Sequence, residues 1–213
     1  VCSSDLRYCK WTPDDHHVCH EYGNDVYCGP EEFEGDADVL LMNRGDGTFE
    51  DATDAAGIAA HAGKGLGVLV LDHDADGDRD IYVVNDGTPN LLYSNLGDGS
   101  FEEIGWLVGV DGDDGGAAQG SMGVDFGDYD GDGLRDLVVT NFQREVNTLY
   151  RNDAGGFFTD VSFIAGLGRS LPYVSWGAAF LDADSDGRQD LFIANGHNKS
   201  KKKKKKKSKK QIE

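Results

Sequence analysis

Short apolar runs alternate with Gly- and Asp-rich segments along most of this chain. In the clearest unit the runs cover residues 68–71, 81–85, 91–95 and 100–104. Each run is bounded by turn residues, a pattern that predicts four short β-strands. The Asp-Gly dipeptides at 46–47 and 98–99 predict hairpins, because glycine tolerates the positive φ of a tight turn.

The same order of segments recurs along the chain as an internal repeat. Each unit contains, in this order, a glycine, a nine-residue acidic segment, an apolar strand, a strand ending in Asn, and a Gly-rich turn before an aromatic residue. The acidic segments begin at Asp72, Asp128 and Asp182, so their spacings are 56 and 54 residues. The back half of an earlier copy lies at 38–49. A fixed period of this size indicates units that bury their apolar faces against neighbouring units.

Four antiparallel strands per repeat are typical of a propeller blade. We therefore predict an all-β fold: a partial β-propeller of about three four-stranded blades over residues 36–198. Because propellers close with roughly 4–8 blades, we expect this chain to be part of a larger ring whose other blades cover its open edges.

Composition agrees with many short strands and a small core. Glycine supplies 30 of 213 residues, about twice its usual ~7%. Leu, Ile, Val and Phe together supply 49 residues, which is only just enough for a highly charged chain to fold.

The charge is strongly acidic. The formal charge is −19, but ten of the 20 basic residues are lysines between 199 and 210, and residues 1–198 carry 10 Lys and Arg against 38 Asp and Glu, a charge of −28. Such a surface disfavours nucleic acid and anionic membranes as partners. No run of 18 apolar residues occurs, so the sequence predicts no membrane-spanning helix.

Both ends of the chain differ from the repeats. We interpret residues 1–6 (VCSSDL) as a translated sequencing-adapter read-through and the lysine run 201–207 as translated poly-A. The alternative for 199–213 is a native basic tail, unfolded because adjacent lysines repel one another. No secretory signal is visible, and an internal fragment would have lost one.

The acidic segments share the pattern D-x-D-x-D-G-x-x-D and run directly into an apolar strand. Carboxylates packed this closely repel one another unless a cation lies among them. A set of ligands that contains only oxygen selects a hard ion, and Ca²⁺ accepts six to eight oxygens from a flexible loop. We therefore predict about three calcium ions, one in each loop between adjacent strands.

Each position in the pattern has an expected role. Positions 1, 3, 5 and 9 supply carboxylates, the glycine at position 6 allows the sharp turn, and position 7 offers its backbone carbonyl. Position 2 points away, so we expect His73 at the rim rather than among the ligands. The predicted metal-binding residues are Asp72, Asp74, Asp76, Asp78, Asp80, Asp128, Asp130, Asp132, Leu134, Asp136, Asp182, Asp184, Asp186, Arg188 and Asp190.

Two other interpretations of these segments are weaker. An EF-hand begins with the same letters but needs a glutamate at position 12 between two helices. Here position 12 is Val83, Val139 or Ile193 within a predicted strand. Ordinary Asp-Gly turns would not need three in-register copies of four aspartates.

These motifs resemble a known repeat family. The acidic loop, the glycine five residues before it and the N-x-G-D-G-x-F hairpins at 43–49 and 95–101 are similar to FG-GAP/VCBS repeats, the calcium-bearing propeller blades of integrin α chains. More narrowly, VYCGP at 26–30, DVLLMNRGDGTFEDAT at 38–53 and a following A-G-I resemble the cartilage acidic protein/UnbV-type family. The resemblance implies an exported protein used for binding or adhesion. Members of that family carry a C-terminal ASPIC/UnbV domain, which this chain does not contain.

A Cys- and His-rich segment precedes the repeats, and we interpret residues 7–35 as an insertion in the first, incomplete blade. Exported proteins often stabilise loops that lack a core with disulfides, and we predict a Cys19–Cys28 pair. A zinc or copper site built from this segment stays open, although its spacing matches no standard zinc pattern. Reduced thiols are the third possibility.

The leading functional hypothesis is a non-catalytic, calcium-stabilised propeller that binds a protein or glycan. We expect it to be secreted, periplasmic or at the cell surface. The sequence contains no G-x-S-x-G, H-E-x-x-H, P-loop or Rossmann fingerprint. The alternatives are a propeller portion of a secreted polysaccharide-active enzyme, with acidic pairs as acid and base, or a lectin.

Overall fold

The structure is a computed structural model that describes residues 18–21, 24–27, 30 and 33–196. For 18–21 and 24–27 only the backbone is described. The predictions for residues 1–6 and 199–213, and the Cys19–Cys28 pair, lie outside the side chains described.

The described chain is almost entirely β-strand. Its helical elements are α1 (Gly105–Val108) and the 3₁₀ helices Ile58–Ala60 and Leu167–Ser170. The strands are β1 (Val18–Glu21), β2 (Asn24–Tyr27), β3 (Asp36–Ala37), β4 (Leu41–Asn43), β5 (Phe49–Asp51), β6 (Ala62–Gly63), β7 (Gly65–Leu71), β8 (Asp80–Asn85), β9 (Leu91–Asn95), β10 (Phe101–Glu103), β11 (Ser121–Gly127), β12 (Asp136–Asn141), β13 (Thr148–Asn152), β14 (Phe158–Asp160), β15 (Val174–Leu181) and β16 (Asp190–Gly196).

Two complete four-stranded blades form the centre of the fold. Blade II has the order β7-β8-β9-β10 and blade III the order β11-β12-β13-β14, each antiparallel throughout. The hairpin β4-β5 belongs to blade I, and the pair β15-β16 begins blade IV. The strands β1-β2 and β3-β6 form separate two-stranded sheets. The predicted all-β fold of propeller blades is confirmed, with two blades complete and two partial among the described residues.

The main core lies between blades II and III. Leu71, Tyr82 and Leu92 of blade II meet Leu137 and Tyr150 of blade III in one buried cluster. The Tyr82 hydroxyl donates to the carbonyl of Val110 at 2.6 Å, and the Tyr150 hydroxyl to that of Gly112 at 2.6 Å. These bonds fix the connection between the blades and satisfy two polar groups that burial would otherwise leave unpaired.

The repeated glycine before each loop lies where first strands of neighbouring blades pack together. Each first strand has a β-bulge at this point, between Gly65 and Gly67, Ser121 and Gly123, and Ser175 and Gly177. A Cβ on Gly123 would lie 2.5 Å from the carbonyl oxygen of Trp176, a distance that real Cβ atoms do not reach. A Cβ on Gly67 would lie 3.1 Å from the carbonyl oxygen of Met122, so at Gly67 and Gly123 the repeated glycine is required by the close approach of the neighbouring first strand.

No helix among the described residues is long and apolar enough to cross a membrane.

A pair of alanine substitutions tests this strand packing. Gly123→Ala should destabilise the fold by about 1–3 kcal/mol, because the added methyl overpacks the boundary between blades III and IV. Gly177→Ala is the matched control: nothing lies within 4 Å of its Cβ position, and its effect should stay within about 0.5 kcal/mol. Urea unfolding monitored by tryptophan fluorescence measures both. Equal destabilisation by the two substitutions would contradict the packing account.

Candidate metal centre

Each acidic segment forms the loop between the first and second strands of a blade. Loop II (72–80) joins β7 to β8, loop III (128–136) joins β11 to β12, and loop IV (182–190) joins β15 to β16. Since the blades share one topology, the three loops occupy equivalent ends of their sheets. The strand–loop–strand context predicted for the acidic pattern is thus confirmed.

The carboxylate at position 1 holds the turn of each loop. Oδ2 of Asp128 accepts the Gly133 N–H at 3.0 Å, and Oδ1 accepts the Gly131 N–H at 2.7 Å. In loop IV, Asp182 accepts the Gly187 N–H at 2.9 Å in the same way. The chain therefore curls around the first aspartate.

Left-handed backbone at two positions makes the curl possible. The position-6 glycines 77, 133 and 187 have φ values of 98°, 91° and 88°, as the sequence predicts. Position 4 is also left-handed, with φ of 65° at Ala75, 80° at Gly131 and 62° at Ser185. Ala75 and Ser185 lack the freedom of glycine, so these loops carry backbone strain that the turn geometry imposes.

In loops II and III the carboxylate at position 9 is buried and joins the loop to the third strand of its blade. Asp136, which is 0% exposed, accepts the Tyr129 N–H on Oδ2 and the Asn152 N–H on Oδ1, both at 2.9 Å. Asp80 accepts the N–H groups of His73 and Asn95 identically, both at 2.9 Å. This aspartate connects position 2, the second strand and the end of the third strand.

The loops bring many of the predicted ligands together. Carboxylate oxygens of three aspartates lie within 4.8 Å of one another in each loop. The grouped residues are Asp72, Asp74 and Asp76 in loop II, Asp128, Asp130 and Asp136 in loop III, and Asp182, Asp184 and Asp190 in loop IV.

Other predicted ligands lie outside these three groups. At position 7, the N–H groups of Asp78, Leu134 and Arg188 donate to the position-5 carboxylates at 2.8, 2.8 and 2.9 Å. In loop IV the exposed Arg188 guanidinium also pairs with Asp186. A ligand role for the position-7 carbonyls stays a prediction.

The prediction that His73 lies at the rim is wrong. Its side chain is buried, with Nδ1 2.7 Å from Oδ2 of Asp80, and it belongs to a second group with Asp74 and Asp80 whose ligand atoms lie within 4.8 Å. The ring packs near Gly156 of blade III, where a Cβ would be 3.0 Å from its edge. Contact with a neighbouring blade, which a single repeat does not reveal, buries it.

This imidazole makes loop II electrostatically different from loop III. Burial opposes the charge of Asp80, but the His73 hydrogen bond and the backbone N–H groups hold its pKa below the usual value. Burial likewise opposes the charge of His73, yet the Asp80 carboxylate raises its pKa. In loop III, burial raises the pKa of Asp136, since Tyr129 replaces the histidine.

The donor set fits a hard divalent cation. The groups in loops III and IV contain carboxylate oxygens alone, and in loop II the buried Oδ1 of Asp72 has no hydrogen-bond partner within the described part of the chain. A buried anionic oxygen with no donor is costly unless a cation meets it. Calcium would therefore be held by positions 1 and 3 of each loop, with position 5 or 9 beside them.

Sequence analysis did not assign a role to the asparagines that end the third strands. Asn95 and Asn152 bind the position-9 aspartates through their N–H groups. Their amides donate to the carbonyls of Arg79 and Arg135 at 3.1 and 3.3 Å. The signal was present, because each third strand ends in Asn, but its partner is 15 or 16 residues away.

Comparison with known proteins agrees with this geometry. The FG-GAP-like repeat family matches residues 24–83, 72–139 and 128–193. Human "Cartilage acidic protein 1" is 32% identical over 179 residues, which cover 83% of this chain and 25% of that protein. The mouse protein of that name is 32% identical over 172 residues, covering 78% and 25%. The Xenopus tropicalis protein is 30% identical over 135 residues, covering 62% and 20%.

The chain spans about a quarter of the length of the curated relatives it matches. The three family matches together extend over residues 24–193, and the blades and loops described above repeat with the same period. This chain is a β-propeller-like repeat module, similar to cartilage acidic protein 1, and it belongs to the FG-GAP-like repeat family.

Proposed function

We propose that this chain is a calcium-binding β-propeller module that mediates a protein or glycan interaction outside the cytoplasm and does not catalyse a reaction itself. The observation that carries the calcium part is the convergence of three carboxylates within 4.8 Å in each of the three equivalent loops. The family resemblance implies that the relatives are exported, and this supports a location outside the cytoplasm.

Calcium would have a structural role in this proposal. Bound calcium supplies positive charge that offsets the repulsion among the loop carboxylates. The chain supplies the rest: position 1 bonds the turn, and position 9 bonds the third strand. Loading would therefore hold the loop in one conformation and reinforce the junction of three strands.

Apolar side chains outside the core support an interaction role. After the fourth strand of blade II, Trp106 and Leu107 are exposed, and after that of blade III, Phe163 and Ile164 are exposed. These pairs occupy equivalent places in successive repeats, so they would present a periodic apolar surface to a partner.

We also propose that further blades of a longer chain flank this module. Leu66, Val68 and Val70 on β7 are exposed on the side of the incomplete blade I, and Phe192 is exposed on blade IV. Additional blades would cover these apolar faces and the open edge of β16.

Removal of calcium tests the structural role. For a Kd of about 10⁻⁴ to 10⁻³ M, a concentration of about 10 mM calcium stabilises the folded state by roughly 1.4 to 2.7 kcal/mol per loop. Excess EGTA should therefore lower the melting temperature by several degrees, at about 2–4 °C per kcal/mol for a chain of this size. Differential scanning fluorimetry with magnesium as the control ion measures this. A melting temperature that EGTA does not change would contradict a structural role of calcium.

Loss of two ligand charges tests the assignment of a single loop. Asp130→Asn together with Asp132→Asn keeps both side-chain acceptors but removes charge from loop III, so calorimetry should detect one calcium fewer per chain. Asp114→Asn, at an exposed position outside the loops, is the control and should leave the stoichiometry unchanged. An unaltered stoichiometry in the double variant would exclude loop III as a site.

One screen distinguishes the proposed interaction role from the enzymatic alternative. The calcium-loaded chain should be retained on a glycan or protein array while the same polysaccharides, incubated in solution, release no reducing ends. Product release would contradict the non-catalytic proposal.

A further inference from the structure

Asn152 is the residue through which two acidic loops meet. Its N–H donates to Oδ1 of Asp136 in loop III at 2.9 Å. Its side-chain Nδ2 donates to the carbonyl of Arg135 in the same loop at 3.3 Å, and to the carbonyl of His73 in loop II at 3.1 Å. Asn152 as a whole is 4% exposed, so water competes little for these bonds.

Comparison with Asn95 distinguishes the contacts of Asn152 within its own blade from its contact with the neighbouring loop. It has the same place in blade II and makes the same local bonds, to Asp80 at 2.9 Å and to the Arg79 carbonyl at 3.1 Å. The Asn95 side chain also accepts the Gly97 N–H at 3.0 Å, as Asn152 accepts that of Ala154 at 3.1 Å. Among the described residues, the hydrogen bonds of Asn95 include no counterpart of the bond from Asn152 to loop II.

The bond from Asn152 to His73 contacts loop II next to its grouped carboxylates. His73 is position 2, and its N–H and ring both bind Asp80 at position 9. Its neighbours Asp72 and Asp74 contribute to the grouped carboxylates. A shift of the His73 backbone would therefore move residues on both sides of the candidate calcium site.

Loops III and IV are linked by a different contact. Oε1 of Gln189, at position 8 of loop IV, accepts the N–H of Asp128 at 2.7 Å. The adjacent Gly127 leaves room for this side chain, since a Cβ there would collide with Gln189 and Phe180. Position 8 of the other loops is Arg79 or Arg135, whose guanidinium side chains cannot accept a hydrogen bond.

We propose that Asn152 and Gln189 are positioning residues shared between neighbouring loops, so that calcium binding in one blade strengthens binding in the next. The proposal rests on the calcium function proposed above. Ordering of loop III fixes Asn152, which holds His73 and so arranges loop II for its ion; linkage requires the reverse effect to be equal. The same argument couples loop IV to loop III through Gln189.

Site-resolved calcium titration of the intact chain tests the coupling. The amide resonances of Gly77 and Gly133 report loops II and III, because each N–H bonds the position-1 aspartate of its own loop. Loop III is disabled by Asp130→Asn with Asp132→Asn. We expect the Kd of loop II to rise by about 5-fold or more, the lower end of typical coupling between sites.

A double-mutant cycle assigns the coupling to Asn152. In Asn152→Ala the Kd of loop II should already be raised, and disabling loop III should then change it by less than about 2-fold. Asn95→Ala removes the matched side-chain bonds to Arg79 and Gly97, so loop II weakens at the outset, but disabling loop III should still raise the Kd of loop II by the original factor. Gln189→Ala should weaken loop III, reported by Gly133, when loop IV is intact.

Each result has a definite meaning. If disabling loop III in the otherwise unmodified chain leaves the Kd of loop II unchanged, the coupling is overturned, whether or not Asn152→Ala folds. Coupling that survives in Asn152→Ala overturns the role of that residue. If neither glycine resonance responds to calcium in the unmodified chain, the proposed calcium function itself fails; two independent responses overturn the coupling alone.

Discussion

Each complete blade depends on the hydrogen bonds that the buried aspartate at the ninth position of its acidic loop accepts from backbone N–H groups. Asp80 and Asp136 begin the second strands, yet their carboxylates bond N–H groups of the loop and of the third strand. A buried carboxylate is costly without such donors. Three separate segments must therefore be in register before the charge is compensated, which makes the loop part of the blade.

The remaining aspartates of the loop have a different environment. Position 9 is buried and bonded to backbone in both complete blades, whereas positions 3 and 5 are exposed and lie beside other carboxylates. One carboxylate stabilises the strands and the others gather negative charge at the ends of the sheets. The three loops are also not equivalent: loop II contains a buried imidazole, and loop IV contains an arginine paired with Asp186. Such differences would give repeated sites different affinities.

The sequence alone predicts the strands, the loops and the grouped aspartates because these depend on contacts within one repeat. Strands at 81–85 and 91–95 match β8 and β9, apart from Asp80, which the structure adds to β8. Features that depend on two blades could not be predicted in this way. His73 is buried because Gly156 of the next blade lies against it, and Gln189 matters because Asp128 lies 61 residues earlier in the chain. Repeat patterns specify a unit; they say less about how adjacent units touch.

Anomalous diffraction from crystals grown at about 5 mM calcium, well above the Kd expected for extracellular calcium modules, tests the central claim most directly. The account predicts one anomalous peak within each acidic loop, bounded by carboxylates of positions 1 and 3. Ordered loops without peaks at this concentration, or peaks only at other acidic surfaces, would contradict it.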